Sequence, residues 1–296
     1  FTAGGNGGGL LSIFTYGTTS IAANLSATGS KGSLSNSGDS CSPSSYGGGG
    51  GAGGTIFIQA NAITTTGSPA FNVNGGNSGN TNKGGGGAGG RIVIISSSTE
   101  SASFTATAYG GSGAQYGGAG AVYTKLSSTD TYGNFFANNN SHSGANTAIA
   151  LDFNANNVTA SSSAILYINT GKTISIAGNL YGNGTYYNNG TTTFSSNHAT
   201  TSISAFTNNG FINVDNLTAT GTMAFNLLAS STFKSNFALF VGKNATTTLY
   251  TSSTTVITFN NLTIDSGGYI THANNTTAEN YIINLNLTGN LIVNSG

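Results

Sequence analysis

Seven carboxylates are the residues best equipped for chemistry in this chain: Asp39, Glu100, Asp130, Asp152, Asp215, Asp265 and Glu279. Glycoside hydrolysis needs two such groups ~5–10 Å apart, one as acid and one as base or nucleophile. Asp130 and Asp152 are spaced so that they would stack on adjacent coils of a solenoid, and Asp265 and Glu279 lie closer together in the chain. Neither interval is diagnostic. A lyase would need several acids to hold Ca²⁺ and basic residues beside its anionic substrate, yet Arg91 is the single arginine. His142, His198 and His272 lie in polar stretches without a nucleophile elbow, and their wide spacing makes no metal signature. The one cysteine, Cys41, has no partner for an internal disulfide and no neighbouring His or Arg to activate it. The glycine runs contain no Asp, as calcium-binding nonapeptides require, and Lys83 precedes its glycines, so no phosphate loop is formed. On this reading the chain is not an enzyme, has no cofactor, and offers no catalytic, cofactor-binding or metal-binding residue.

The elements that would position any such group are written in an unusual composition. Only 5% of the 296 residues are charged, against about 25% in ordinary soluble proteins. Seven acids balance seven bases, which argues against a nucleic acid or an anionic membrane as partner. Solubility rests on Ser, Thr and Asn, and near-zero net charge favours association. Such a surface suits a secreted material, so the expected location is extracellular or at a cell surface. Asn-x-Ser/Thr sequons occur about as often as this composition gives by chance. No apolar run approaches the length of a membrane-spanning helix. The chain opens on Phe1 without an initiator Met or leader and stops in mid-pattern at Val293-Asn294-Ser295-Gly296, which reads as a piece of something longer.

Two grammars divide the chain. The 46 glycines concentrate in residues 1–133 and the asparagines in 134–296, which places the expected boundary between a Gly-rich β-repeat region and an Asn/Thr-rich β-solenoid region. In the first region a glycine run leads into a short apolar strand. The instances are Gly7–Gly9 into Leu10–Phe14, Gly47–Gly54 into Thr55–Ile58, Gly84–Gly90 into Arg91–Ile95, and Gly117–Gly120 into Ala121–Thr124. The phrase recurs at the interval of a supersecondary unit, which signals a solenoid. Its period-two, β-branched content makes the repeats strands. A glycine run has nothing to bury and loses most entropy on ordering. It orders only where backbones lie close and bond to one another, as extended polyproline-II-like strands that admit glycine alone.

The second region repeats an asparagine corner between strands: Val214-Asp215-Asn216-Leu217-Thr218, Phe259-Asn260-Asn261-Leu262-Thr263 and, more loosely, Phe153–Thr159. Asn suits a tight corner because it tolerates left-handed backbone and bonds local main chain; stacked corners would align their amides in a ladder. A second echo pairs Ile174–Leu180 with Leu285–Leu291. No segment carries helical periodicity. The fold class expected is therefore all-β, a parallel β-helix or solenoid of roughly 20–30 residues per coil.

The phrases Tyr46–Gly54 with Thr55–Ile58, Lys83–Gly90 with Arg91–Ile95, and Asn260–Gly268 resemble the Gly-rich, Asn/Thr-rich β-helical surface proteins of bacteria, autotransporter passengers and filamentous-haemagglutinin-like adhesins. The glycine runs themselves are similar to the polyglycine layers of some phage adhesins and receptor ectodomains. The resemblance implies a right-handed parallel β-helix, an extracellular site, and adhesion or structural support, without catalytic residues. The leading expectation is a self-associating subunit of a surface filament or rod, partnered by itself end to end or by strand donation through the uncapped strands near Phe1 and over Tyr281–Val293. A glycan-binding adhesin is the alternative, with Tyr16, Tyr46, Tyr109, Tyr116, Tyr123, Tyr132, Tyr186 and Tyr187 as stacking platforms; a β-helical polysaccharide lyase or hydrolase is the third. The Thr runs Thr191–Thr193, Thr246–Thr248 and Thr254-Thr255 are too irregular for the flat face of an ice binder.

Overall fold

The computed structural model describes residues 2–35, 46–80, 82–98, 102–196, 198–228, 230–251, 256–275 and 281–295. Asp39, Cys41, Glu100, Thr254, Thr255 and Glu279 lie outside the described residues. The described chain is all-β, without a helix, and its long sheets are built mainly from parallel strands in the manner of a parallel β-helix, with Leu34–Ser35 and Tyr46–Gly47 as a small antiparallel pair. It forms two compact units, Phe1–Thr147 with Ser161–Ile165, and Ala148–Ala160 with Leu166–Gly296.

In the first unit the four strands named by the glycine phrases are parallel neighbours. Leu10 pairs with Thr55, Thr55 with Arg91 and Arg91 with Ala121, so each phrase lies on its own next copy. Thr55–Ala60 and Arg91–Ser96 alternate between buried and outward residues. The register therefore stacks like on like: Leu11, Ile56, Ile92 and Val122 form one inward column, and Ile13, Ile58 and Ile94 the next. Ile56, Ile58, Ile92 and Ile94 are fully buried, each contributing about 1.5–3 kcal/mol of burial. Phe71 and Phe104 stack behind them with centroids 5.0 Å apart. Asn134–Asn138 departs from parallel stacking and runs antiparallel to Ala121–Lys125, because a short loop joins them and only an antiparallel return is that short.

The glycine runs are ordered as a two-layer lattice. Runs 4–9, 47–54, 84–90 and 115–120 make one layer; runs 27–33, 73–79 and 108–113 make the other. Within the first layer every third amide donates to the next coil: Gly5 to Gly49 O and Gly8 to Ala52 O (both 2.8 Å), Gly50 to Gly85 O (2.9 Å), Gly53 to Ala88 O (2.8 Å). A second third of the amides cross to the other layer: Gly48 to Ser33 O, Gly51 to Ser30 O and Gly87 to Gly76 O, each 2.9 Å. The remaining third, at Gly49, Ala52, Gly85 and Ala88, has no main-chain acceptor among the described residues and faces outward. Threefold periodicity is the signature of polyproline-II geometry, with three residues per turn.

The same periodicity decides where a side chain fits. A Cβ at Gly51 would lie 1.9 Å from Asn6 O, at Gly87 1.9 Å from Gly51 O, and at Gly53 1.8 Å from Val73 O. At Gly49 and Gly85 the nearest atoms are 3.4 and 4.0 Å away. Ala52 and Ala88, which interrupt runs 47–54 and 84–90, occupy that same outward class, whereas Ala119 in run 115–120 is buried at the position equivalent to Gly89.

The second unit is a coil of three short strands. One face is Val158–Ser161, Leu180–Tyr181, His198–Thr201, Asn216–Ala219, Ala238–Val241, Asn261–Ile264 and Leu291–Val293 in parallel order. The others are built on Thr185–Asn188, Ala205–Asn208 and Thr222–Leu227, and on Thr173–Ile176, Thr191–Phe194 and Phe211–Asn213. On the last face Thr173 pairs with Thr191, Thr191 with Phe211 and Phe211 with Thr232. These coils are near the short end of the range common in solenoids. Register again makes columns. Tyr186, Phe206, Phe225 and Leu249 are successive partners, as are Ala199, Leu217, Leu239, Leu262 and Leu291. Tyr186 and Phe206 lie 5.0 Å apart and Phe206 and Phe225 5.4 Å apart, all fully buried.

The asparagine corners stack as expected, with a different bond. Asn179 N–H donates to Asn157 Oδ1 (2.9 Å), Thr200 N–H to Asn179 Oδ1 (3.0 Å), and Asn290 N–H to Asn261 Oδ1 (2.7 Å). Each amide oxygen thus receives the main chain of the next coil. The echoed Gly-Asn-Leu phrases are these corners: a Cβ at Gly178 or Gly289 would strike the Asn157 or Asn260 amide oxygen at 2.4 Å. True amide-to-amide rungs occur elsewhere, between Asn188 and Asn208 (2.7 Å, buried) and between Asn189 and Asn209.

Candidate functional site

The two layers of the glycine lattice present different outward faces. The first shows Gly49, Ala52, Gly85 and Ala88, almost bare of side chains. The second shows Asn74, Asn77, Tyr109 and Ser112 in the equivalent outward positions, at every third place along their runs. Asn74 Oδ1 accepts Tyr109 N–H at 2.6 Å, and Asn77 Oδ1 accepts Ser112 N–H at 2.9 Å. Both amides are thereby fixed in orientation.

A cleft of about 400 Å³ opens on this face, lined by Asn74, Asn77, Tyr109, Ser112, Tyr116 and His142 together with glycine backbone and Asn140. Tyr116 and His142 stack face to face, 4.2 Å between centroids and 7° from parallel. The loop that delivers His142 is anchored by Asn139, 1% exposed: its Oδ1 accepts Gly110 N–H (2.9 Å), and its Nδ2 donates to Gly117 O (3.1 Å) and His142 O (2.7 Å). Asn140 and Ser141 then turn the chain through left-handed backbone, φ 51° and 63°, a conformation Asn adopts more readily than most residues.

Of the tyrosines nominated as platforms, only Tyr109 and Tyr116 converge. Tyr16 is 89% exposed against Phe14, and Tyr46 lies under Lys83. Tyr123 accepts Gly133 N–H at 2.6 Å, Tyr132 is half-buried, and Tyr187 stacks on Tyr167. Tyr186 is core; burial pushes its hydroxyl pKa far up, opposed by its bond to Thr192 Oγ1 at 2.7 Å. Thr192 and Thr247 are likewise buried, so those Thr runs are half interior.

Sequence reading did not single out Asn74, Asn77 or Asn139. The available signal was the placing of Asn74 and Asn77 at every third position inside a glycine run, which matches the polyproline-II repeat.

Three of the described acids serve local structure. Asp152 Oδ1 accepts Thr173 N–H at 2.8 Å, Asp265 caps Ser266 N–H at 2.9 Å, and Asp215 pairs with Lys234 at 2.5 Å. His272 sits against Ala273 O, and Arg91 opens its strand with an exposed side chain. Among the described residues no group of three or more His, Cys, Asp and Glu is placed to hold a metal, and no helix is long and apolar enough to cross a membrane. No protein-family model, curated protein or solved structure matches this chain.

The Lys234 bond holds the Asp215 carboxyl below the usual carboxylate range. A depressed folded-state pKa stabilises above the ordinary value and is lost as pH falls through the folded one. Thermal melts of wild type and Asp215→Asn should therefore differ slightly at neutral pH and converge in strong acid; a gap that persists in acid would contradict this pairing role.

Proposed function

We propose that this chain is a non-catalytic, extracellular structural protein, a self-associating β-solenoid segment of a surface filament or rod. The observation that carries the reading is where its polar groups are used. Glycine amides, corner asparagines and Asn–Asn rungs all bond from one coil to the next, which is the work of a scaffold. Asp152, Asp215 and Asp265 each bond locally instead of converging on a common point. Near-absent charge supports a surface that tolerates its own kind.

The outer edges of Leu10–Phe14 and Leu291–Val293 supply a route for association. Each has a partner strand on one side only among the described residues, and Leu10, Phe14, Leu291 and Val293 are 72%, 54%, 60% and 65% exposed. Open apolar edges pair with further strands unless charge or proline protects them, and we assign that strand to a second copy. Sedimentation velocity of the purified chain should show mass rising with concentration, with linear assemblies in electron micrographs. A monomer at every concentration would remove the filament reading.

A further inference from the structure

We propose that the cleft between Tyr109 and the Tyr116–His142 pair binds an uncharged oligosaccharide. Its composition is that of a site for a flat, hydroxyl-rich, neutral ligand, and the proposal does not depend on self-association.

Three features argue for it together. First, the donors are pre-set. Asn74 and Asn77 each use Oδ1 to receive a main-chain N–H of the neighbouring run, so each Nδ2 group is held away from the lattice without a protein acceptor among the described residues. One polyproline-II turn separates them, about 9 Å along the run, so two fixed donors recur along the floor. Polar groups that need no reordering lose little entropy on binding.

Second, the aromatics stand at the wall of the cleft and are half-buried. The C–H face of a pyranose covers an aromatic ring while its equatorial hydroxyls reach sideways to amides, and Tyr109 and Tyr116 line the same cleft as Asn74 and Asn77, whose Nδ2 groups can donate to those hydroxyl oxygens. The Tyr116–His142 stack, pinned through buried Asn139, keeps the Tyr116 ring from collapsing into the space. Third, among the described residues no Lys, Arg, Asp or Glu lines the cleft. A phosphate, sulfate or uronate would enter without a Lys or Arg to meet it, which favours a neutral ligand. The lattice's other face, almost bare of side chains, has none of these groups, although it shares the same backbone.

The test is saturation-transfer NMR on the purified chain with neutral tetrasaccharides (cello-, malto-, manno- and chito-series) and, in parallel, oligogalacturonate and heparin fragments. At least one neutral series should bind. Tyr116→Ala should weaken that binding roughly tenfold or more. Asn77→Asp preserves the acceptor for Ser112 N–H but removes the Nδ2 donors, and should weaken it by a similar roughly tenfold factor, with its melting temperature close to wild type. Absence of binding by every neutral series overturns the proposal. So does preference for the anionic fragments, or undiminished binding by a folded Asn77→Asp chain.

Discussion

Gly87→Ala should unfold the first unit near room temperature, whereas Gly85→Ala, in the same run, should leave it as stable or slightly more so. The added methyl at position 87 lands 1.9 Å from Gly51 O and 2.5 Å from its carbon. Both are backbone atoms fixed by neighbouring coils, so no rotamer change relieves the clash. Run 84–90 must lift from run 47–54, which stretches the Gly50–Gly85 and Gly53–Ala88 bonds and the Gly87–Gly76 bond between layers. Overpacking costs about 1–3 kcal/mol and each lost bond about 1 kcal/mol, so the loss is roughly 5 kcal/mol, comparable with the whole stability of a marginal domain. Position 85 faces outward with its nearest neighbour at 4.0 Å. There the methyl only narrows the unfolded ensemble, worth about 0.4–1 kcal/mol in favour of folding. Circular-dichroism melts of the two variants decide the matter; equal melting temperatures would mean that the runs are not packed in this register.

Phe225→Ala should lower the melting temperature of the second unit by roughly 10 °C, using about 2–4 °C per kcal/mol for a unit of this size. Phe225 is fully buried and touches Phe206 above it and Phe233 beside it, at 5.4 and 6.3 Å. Removing such a ring costs about 3–5 kcal/mol, part transfer and part cavity. Stacked coils limit the relief, because Phe206 and Leu249 are tied to Phe225 through the register of their strands and cannot close the gap without slipping a rung. Tyr187→Ala removes a half-buried ring on the outer side of the Tyr167 stack, and should move the same melt by a small fraction of that. Similar shifts from both substitutions would contradict the column-built core.

Much of this architecture was legible in advance, for physical reasons that differ by element. The strands after each glycine run announced their register because a repeated phrase has to stack on its own copy: Ile56 over Ile92 is the alignment that keeps both columns apolar. The Gly-Asn-Leu echo was legible as a repeat, and the structure makes it a corner, with glycine required where the amide of the previous coil fills the Cβ position. What lay hidden depended on distinctions that glycine does not encode. Gly85, Gly86 and Gly87 read alike, yet one faces solvent, one bonds along its layer and one crosses to the other layer; Ala52 and Ala88 mark the outward class, but Ala119, buried in run 115–120, breaks that rule. The antiparallel return of Asn134–Asn138 follows from a loop length that glycine and asparagine composition masks. The cleft escaped notice because Tyr116 and His142 meet through a left-handed turn at Asn140–Ser141, and its floor is made of asparagines that in sequence look like ordinary corner residues.

Amide hydrogen exchange across the two longest glycine runs tests the lattice itself, residue by residue. Gly48, Gly50, Gly51, Gly53 and Gly54, and likewise Gly84, Gly86, Gly87, Gly89 and Gly90, donate to main-chain carbonyls; Gly49, Ala52, Gly85 and Ala88 have no such acceptor among the described residues. The expected NMR record is therefore two slow amides for every fast one, repeating every third residue, with the fast positions at 49, 52, 85 and 88. Uniformly fast exchange, as a flexible linker gives, or protection of every second amide, as an ordinary edge strand gives, would contradict it.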